Sequence, residues 1–433
     1  MSVIFSDITI LGPDGNAEPH KFVGIRGGTI CHIGDAKPDG SWEREIDGRS
    51  LLLMPAFYNS HAHSPMTLMR GYGENLALHD WLNTRIFPFE DKLYPEAVYY
   101  GTLLAMAESF RSGIVSSSDM YFFTDDMVRA VCESGAKANI ARSLAGFDEA
   151  QDMREMDSFK EAKRAFEQYH GAEGGRIIID MSLHMEETST ERLARQLAEY
   201  TREIGARMQV HVSETKREHE GCKERHGGLT PTAYLNGLGL FDSPTTAAHC
   251  VWVEDEDIGI LREKGVTVAS CPVSNLKLAS GVCDTPRLIG EGIGVALGTD
   301  SAASNNSLDF FGEMKLFALV NKERRGDPTL ITPEQAFYAA TRAGALGQGR
   351  EDCGLVKEGY RADLVALDLA APSMHPMFDP VGNIVYSASP CDVALTMVDG
   401  TVVYEGGEYP TIDIERAVYE TDRACEDICA RLG

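Results

Sequence analysis

Positive charge is what this chain is short of. Against 66 acidic residues stand only 40 lysines and arginines, for a formal net charge of −26, so a phosphate backbone would be repelled rather than gathered. That excludes a large nucleic-acid substrate and leaves small molecules open. No uncharged apolar run approaches the roughly 20 residues of a membrane span. The ten cysteines are scattered and no Cys-x-x-Cys occurs among them, which argues against a disulfide framework. Cys425 and Cys429, about one helical turn apart, read as helix packing rather than a metal pair. The start, Met1-Ser2-Val3-Ile4-Phe5-Ser6-Asp7, lacks a basic stretch followed by a long apolar one, so no signal peptide is expected. A reduced cytoplasm is the expected compartment.

What is present is an ordinary globular balance, 43% hydrophobic and 24% charged over 433 residues, enough for one large core plus something smaller. The first fifty residues read as short strands at residues 3–5, 21–25 and 29–33, broken by Gly12-Pro13-Asp14-Gly15 and Gly27-Gly28. From the apolar run Leu51-Leu52-Leu53-Met54-Pro55-Ala56-Phe57 onward, apolar strands alternate with helical segments. Further strands are predicted at residues 113–119, 137–144, 176–184, 207–214, 245–250, 266–271 and 293–300, and an amphipathic helix at 191–204. Eight such units predict a (β/α)8 TIM-type barrel over residues 55–354, with its active site at the C-terminal ends of the strands; a doubly wound sheet is the alternative. After the barrel, strands at 359–367, 394–398 and 401–404 follow, the last two joined by the hairpin signal Asp399-Gly400. Residues 1–54 and 355–410 should therefore form one small β-sandwich from both chain ends, with a helix over 411–433.

The strand ends carry the chemistry. His61 and His63, at i and i+2 after the first apolar run, point to one face. His184, His211 and His249 end the fourth, fifth and sixth predicted strands, Glu214 lies three residues past His211, and Asp300 ends the eighth. Five of the chain's 12 histidines fall at these few positions. Each alone could be a hydrogen-bonded structural residue; their convergence on one rim points to a metal. His61, His63, His211 and Asp300 offer three nitrogens and a carboxylate, a set that suits zinc or iron, with an open position for a water of lowered pKa. No lysine lies in residues 176–184 to bridge a second ion, so one divalent metal ion is expected, zinc first.

Several longer motifs make a resemblance specific. They are His61-Ala62-His63-Ser64-Pro65-Met66-Thr67-Leu68-Met69-Arg70-Gly71, Asp80-Trp81-Leu82 and Ala247-Ala248-His249-Cys250. With them stand Ser274-Asn275-Leu276-Lys277-Leu278 and Leu297-Gly298-Thr299-Asp300-Ser301-Ala302-Ala303-Ser304-Asn305-Asn306. Together they resemble the amidohydrolase superfamily in its single-metal aminohydrolase branch, nearest the group that deaminates S-adenosylhomocysteine, 5'-methylthioadenosine and adenosine.

The resemblance implies hydrolytic attack at the purine carbon that bears the amine. In that scheme Glu214 protonates the adjacent ring nitrogen, Asp300 takes the proton of the attacking water, and His249 polarises that water. It further implies that Trp81 packs on the nucleoside, Glu90 accepts the ribose hydroxyls and His184 contacts the purine. Arg142 and Arg154 would meet the carboxylate of a homocysteine tail, arginine being the residue that can grip it with two bonds. Plainer roles stand beside these: a helix cap for Glu214 in Ser213-Glu214-Thr215, a core aromatic for Trp81, an acidic turn for Glu90, a structural role for His184 and a solvated charge for Arg154. The stretch His184-Met185-Glu186-Glu187 departs from the family pattern of small residues and proline, and would bring an extra acid toward the purine or ribose. The expected partners are a nucleoside and further copies of the chain, with no nucleic acid and no membrane. Two rivals are a guanine-type base or triazine hydrolase of the same superfamily, and an inactive relative that serves in binding or assembly.

Overall fold

The apolar run at residues 51–57, predicted as one strand, is shared between two sheets. In the computed structural model, which describes residues 2–432, the backbone N–H of Ala56 donates to the Asp363 carbonyl at 3.0 Å, whereas that of Phe57 donates to Gly113 at 2.9 Å. Pro55 just before has no N–H to continue a ladder. The chain therefore crosses from a small sheet into the barrel within two residues.

The small sheet is built from both chain ends. Its first part is β1 (Ser2–Leu11), β2 (Ala17–Arg26), β3 (Thr29–Gly34), β4 (Arg44–Asp47) and β5 (Leu51–Pro55). The barrel follows as β6 (Phe57–Ala62), β7 (Ile114–Tyr121), β8 (Lys137–Leu144) and β9 (Ile177–Leu183), then β10 (Met208–Val212), β11 (Thr245–His249), β12 (Thr267–Ser270) and β13 (Gly294–Leu297). Strands β14 (Leu364–Asp368), β15 (Val393–Val398) and β16 (Thr401–Glu405) complete the small sheet. Its order is β16-β15-β14-β5-β1-β2-β3, with β4 also beside β1, so it is one continuous mixed sheet. Leu53 of β5 lies opposite Ala366 of β14, and the sheet has its own core, which includes Phe5, Ile25, Leu53, Leu364 and Met397.

The barrel strands run in parallel in the order β6 to β13. A bridge between Ala62 and Asp300 brings the last strand's end back to the first, through the Asp300 N–H and the His61 carbonyl at 3.0 Å. The helix Glu191–Ile204 shows how the surrounding layer forms. Thr190 caps it by accepting the Leu193 N–H, Leu193, Ala194, Leu197 and Ala198 bury one face, and Gly205 at φ +68° ends it. The helix Ile414–Leu432 carries Cys425, whose thiol donates to the Leu68 carbonyl at 3.1 Å, while Cys429 is exposed.

The two units are fastened by a buried ion pair. Lys137, at the start of β8, meets Asp363, and Asp399 at 2.8 Å. Asp399 belongs to the predicted hairpin, where it and Gly400 both have positive φ (+44° and +76°), the geometry that Asp-Gly favours. Among the described residues no helix is long and apolar enough to cross a membrane.

Candidate active site and metal centre

The C-terminal ends of four barrel strands meet at one point. β6 delivers His61 and, just past its end, His63; β10 delivers His211, β11 His249, and the turn after β13 Asp300. The His61 ring centroid lies 4.9, 4.8 and 5.2 Å from those of His63, His211 and His249. Asp300 Oδ1 stands 3.6 Å from His61 Nε2 and 3.4 Å from His63 Nε2. Its other oxygen accepts from Ser274 Oγ at 2.5 Å and Ser304 Oγ at 2.9 Å. Asp300 and His249 both adopt left-handed backbone, at φ +60° and +72°, a strain of the kind that collects at functional sites. The approach is close on every side: a Cβ on Gly298 would lie 2.9 Å from the His61 Cβ.

The tautomers decide what this cluster can hold. His63 Nδ1 lies 2.6 Å from the Met120 carbonyl and His211 Nδ1 2.7 Å from the His184 carbonyl. A carbonyl only accepts, so both Nδ1 atoms carry the proton and both Nε2 atoms present lone pairs. Those two Nε2 atoms face each other at 3.3 Å, an arrangement of two acceptors that a cation between them makes favourable. His61 Nε2 is buried with no hydrogen-bond partner. Burial and the neighbouring rings hold His61 and His211 well below the usual imidazole pKa, hence in the neutral form a metal needs. The three histidines' donor atoms lie within 4.8 Å of one another. This donor set, with backbone carbonyls fixing the tautomers from behind, fits a divalent metal ion.

Glu214 lies beside this centre. It is 4% exposed, accepts from Ser280 Oγ at 3.3 Å and stands 3.7 Å from His249 Nε2. Burial raises its pKa, against the pull of His249. Burial disfavours charge on His249, but the Glu214 and Asp300 carboxylates and the bond from Nδ1 to Asn275 Oδ1, 2.9 Å, outweigh it and raise the imidazole's pKa. A cavity of about 390 Å³ opens above, lined by His63, His211, His249, Glu214 and Asp300 at one end.

A family model described as the amidohydrolase family matches residues 52–403. The chain belongs to that family. It is similar to a 5-methylthioadenosine/S-adenosylhomocysteine deaminase of Dictyoglomus thermophilum, 39% identical over 425 residues and 98% of each chain. It is similar also to a 5'-deoxyadenosine deaminase of Methanosarcina mazei, 38% identical over 426 residues, again 98% of each. Among solved structures, an adenosine deaminase from Xanthomonas campestris with bound zinc superposes with a TM-score of 0.93 at 28% identity, covering 99% of this chain and 98% of the other.

Within this amidohydrolase chain the predicted substrate residues divide into two groups. Trp81, Glu90 and His184 line the cavity. Trp81 is 4% exposed, His184 bonds through Nδ1 to Thr188 Oγ1 at 2.9 Å, and burial drives the His184 pKa down to about 4. Burial raises Glu90 to about 7, with the Tyr121 hydroxyl and Arg142 pulling the other way. The arginines are not in the lining. Arg142 is engaged by Glu161 at 2.8 Å and by the Ser143 carbonyl at 2.6 Å, its guanidinium 4.6 Å over the Phe122 ring. Arg154 is exposed at the surface, outside the cavity lining. Glu186, the departure from the family pattern, also turns away: it is 3% exposed and bonds His226 at 2.8 Å and Arg225 at 2.5 Å.

Three residues escaped the sequence reading. Glu218 accepts the backbone N–H groups of Ser213 and Glu214; Asn275 orients His249; Asp119 accepts the Ser64 N–H at 3.0 Å and pins the turn after His63. Asn275 sits in a quoted motif and Asp119 ends a predicted strand, so position flagged both. Glu218 carried no such signal.

Proposed function

We propose that the chain hydrolyses the exocyclic amine of adenine nucleosides to the inosine analogue and ammonia, with one divalent metal ion, zinc first, held by His61, His63, His211 and Asp300. The observation that carries this is the placing of the buried Glu214 and His249 beside the donor cluster in the lining of one cavity. The identity of the named relatives over nearly the whole chain supports the nucleoside as substrate.

The metal, when bound, supplies water of near-neutral pKa, about 7 against 15.7 in bulk. Glu214, whose burial favours its protonated form, gives a proton to the ring nitrogen next to the amine-bearing carbon and so makes that carbon electrophilic. His249, with Nδ1 committed to Asn275, turns Nε2 toward the reacting face and orients the water. Asp300, anchored through Oδ2 by Ser274 and Ser304, takes one proton of the water on Oδ1 and hands it to the leaving amine as the C–N bond breaks, while the water's second proton returns to Glu214 as the carbonyl forms. Trp81 packs on the nucleoside, Glu90 accepts the ribose hydroxyls and His184 meets the purine. Arg142 bonds Glu161 and the Ser143 carbonyl and Arg154 is exposed; neither takes part in the chemical steps.

The test is ammonia release from adenosine, 5'-methylthioadenosine, guanosine, guanine and an amino-triazine. Turnover of adenine nucleosides alone is the expected result. Release from guanine or the triazine, with none from adenosine, would replace the reading by one of its rivals.

A further inference from the structure

Glu186 is a buried acid that the chemistry above does not use. It begins the short turn Glu186–Thr188 that follows β9, and its side chain is 3% exposed. A carboxylate at such a position is costly unless it is paired and hydrogen-bonded, and here it is both. Arg225 donates from Nη2 to Oε2 at 2.5 Å and from Nε to Oε1 at 3.2 Å, and His226 Nε2 lies 2.8 Å from Oε1. A carboxylate only accepts, so His226 carries a proton on Nε2. Its ring stacks on Tyr234, 3.6 Å between centroids. A guanidinium that grips with two bonds fixes orientation as well as position.

The two ends of this ion pair belong to different walls of the site. On one side, His184, Met185 and Thr188 line the cavity, and Thr188 Oγ1 bonds His184 Nδ1 at 2.9 Å. Backbone bonds fasten this segment at the His184 N–H, which donates to the Leu144 carbonyl, and at the Thr188 carbonyl, which accepts the Gly146 N–H, both at 2.9 Å. Between those two points the Glu186 side chain supplies the fastening. On the other side, Arg225 ends the helix Lys216–Arg225, whose first turn carries Glu218, the acceptor of the Ser213 and Glu214 N–H groups. Glu218, His219 and Cys222 of that helix are buried, so the helix is the fixed end and the turn is the end free to shift.

We propose that Glu186 is a positioning residue, which holds the wall formed by His184, Met185 and Thr188 in register with Glu214 by tying it to the helix that also holds the Glu214 backbone. It lies outside the cavity lining and acts through the residues on either side of it. The proposal rests on the nucleoside-deaminase reading above and adds to it a residue that touches neither the substrate nor the donor cluster.

The experiment measures kcat and KM for adenosine and 5'-methylthioadenosine on the metal-loaded full chain, together with the melting temperature. Wild type is compared with Glu186→Ala, Glu186→Gln and Arg225→Lys. Charge-assisted bonds of this kind correspond to about a 10- to 100-fold change in binding. Glu186→Ala should raise KM by about that factor and lower kcat by less, because Glu218 still holds Glu214. Glutamine keeps an acceptor for Arg225, and lysine keeps the charge without the fork, so both should show the same split at smaller size. Those two variants decide the matter if the alanine variant does not fold. A lowered melting temperature with KM unchanged would make the ion pair structural only and overturns the proposal, as does a loss confined to kcat or no change in any of the three quantities. In each of those cases wild-type turnover leaves the deaminase reading standing. No ammonia from either nucleoside with the wild type overturns both.

Discussion

Glu218 holds the backbone of Glu214. One of its carboxylate oxygens accepts the Glu214 N–H at 2.7 Å, and the other accepts the Ser213 N–H at 2.9 Å. Ser213 is in the left-handed region at φ +49°, so the chain turns sharply between His211 and Glu214, and a side chain from the following helix, Lys216–Arg225, fixes that turn. Glu218→Ala would leave two buried N–H groups without an acceptor, each costing about 1–3 kcal/mol. The variant is expected to lose kcat more than it gains KM, because the group it misaims acts in the transition state. Steady-state kinetics together with metal content and thermal stability check this; unchanged kcat in a stable, metal-replete variant would remove the positioning role.

Glu214→Gln keeps the shape of the side chain and removes its transferable proton. The rate should fall by at least the roughly 10²-fold typical of acid–base catalysis, with metal content unchanged. Near-normal turnover would move the acid function to another group.

Metal removal should abolish turnover, and a single ion per chain should restore it. His61→Ala takes away the nitrogen that has no hydrogen-bond partner, and Asp300→Asn alters the carboxylate that stands 3.6 Å from His61 Nε2 and 3.4 Å from His63 Nε2. Both are expected to lose bound metal on purification. Elemental analysis of the wild type showing two ions per chain would contradict the single-ion assignment.

A pH effect on stability should come from Glu313, which bonds Asn305 on the loop that follows Asp300. Burial pushes its carboxyl up to about 8, although the Asn305 amide at 2.5 Å and the Val273 N–H at 3.3 Å favour the ionised form. A raised folded-state pKa means that the proton stabilises the fold. The contribution is complete below the unfolded value near 4.5 and is lost as pH rises through about 8. Denaturant melts at pH 5 and pH 9 should show Glu313→Gln close to wild type at the lower pH and relatively more stable at the higher one. The same offset at both pH values would mean that Glu313 does not titrate in this range.

The barrel and the histidine cluster were legible because both are written in periodicities the sequence cannot hide: apolar strands at regular intervals, several of them ending on a histidine or an acid. The support behind the cluster was not. The carbonyls of Met120 and His184 that set the His63 and His211 tautomers are backbone atoms, and any residue supplies one. The surroundings of the arginines were hidden for a related reason. Arg142 has a carboxylate partner, but it is Glu161 on the next helix, and a sequence gives no sign of which acid a long side chain will reach. The division of residues 51–57 turned on Pro55, whose effect on the ladder depends on which neighbour the strand lacks.

The pairing of β5 with β14 also orders events in time. Leu53 needs Ala366 across from it, and the two are separated by most of the chain. At about 5–20 residues per second of synthesis, the ribosome takes roughly 15–60 s to make the stretch between them. Through that interval the nascent β5 has an open edge beside β1, and the apolar face of the early half-sheet has no cover. A strand translated after the whole barrel thus seals one translated before it, and a chain stalled before β14 would expose a strand edge able to pair with its neighbours on the same message.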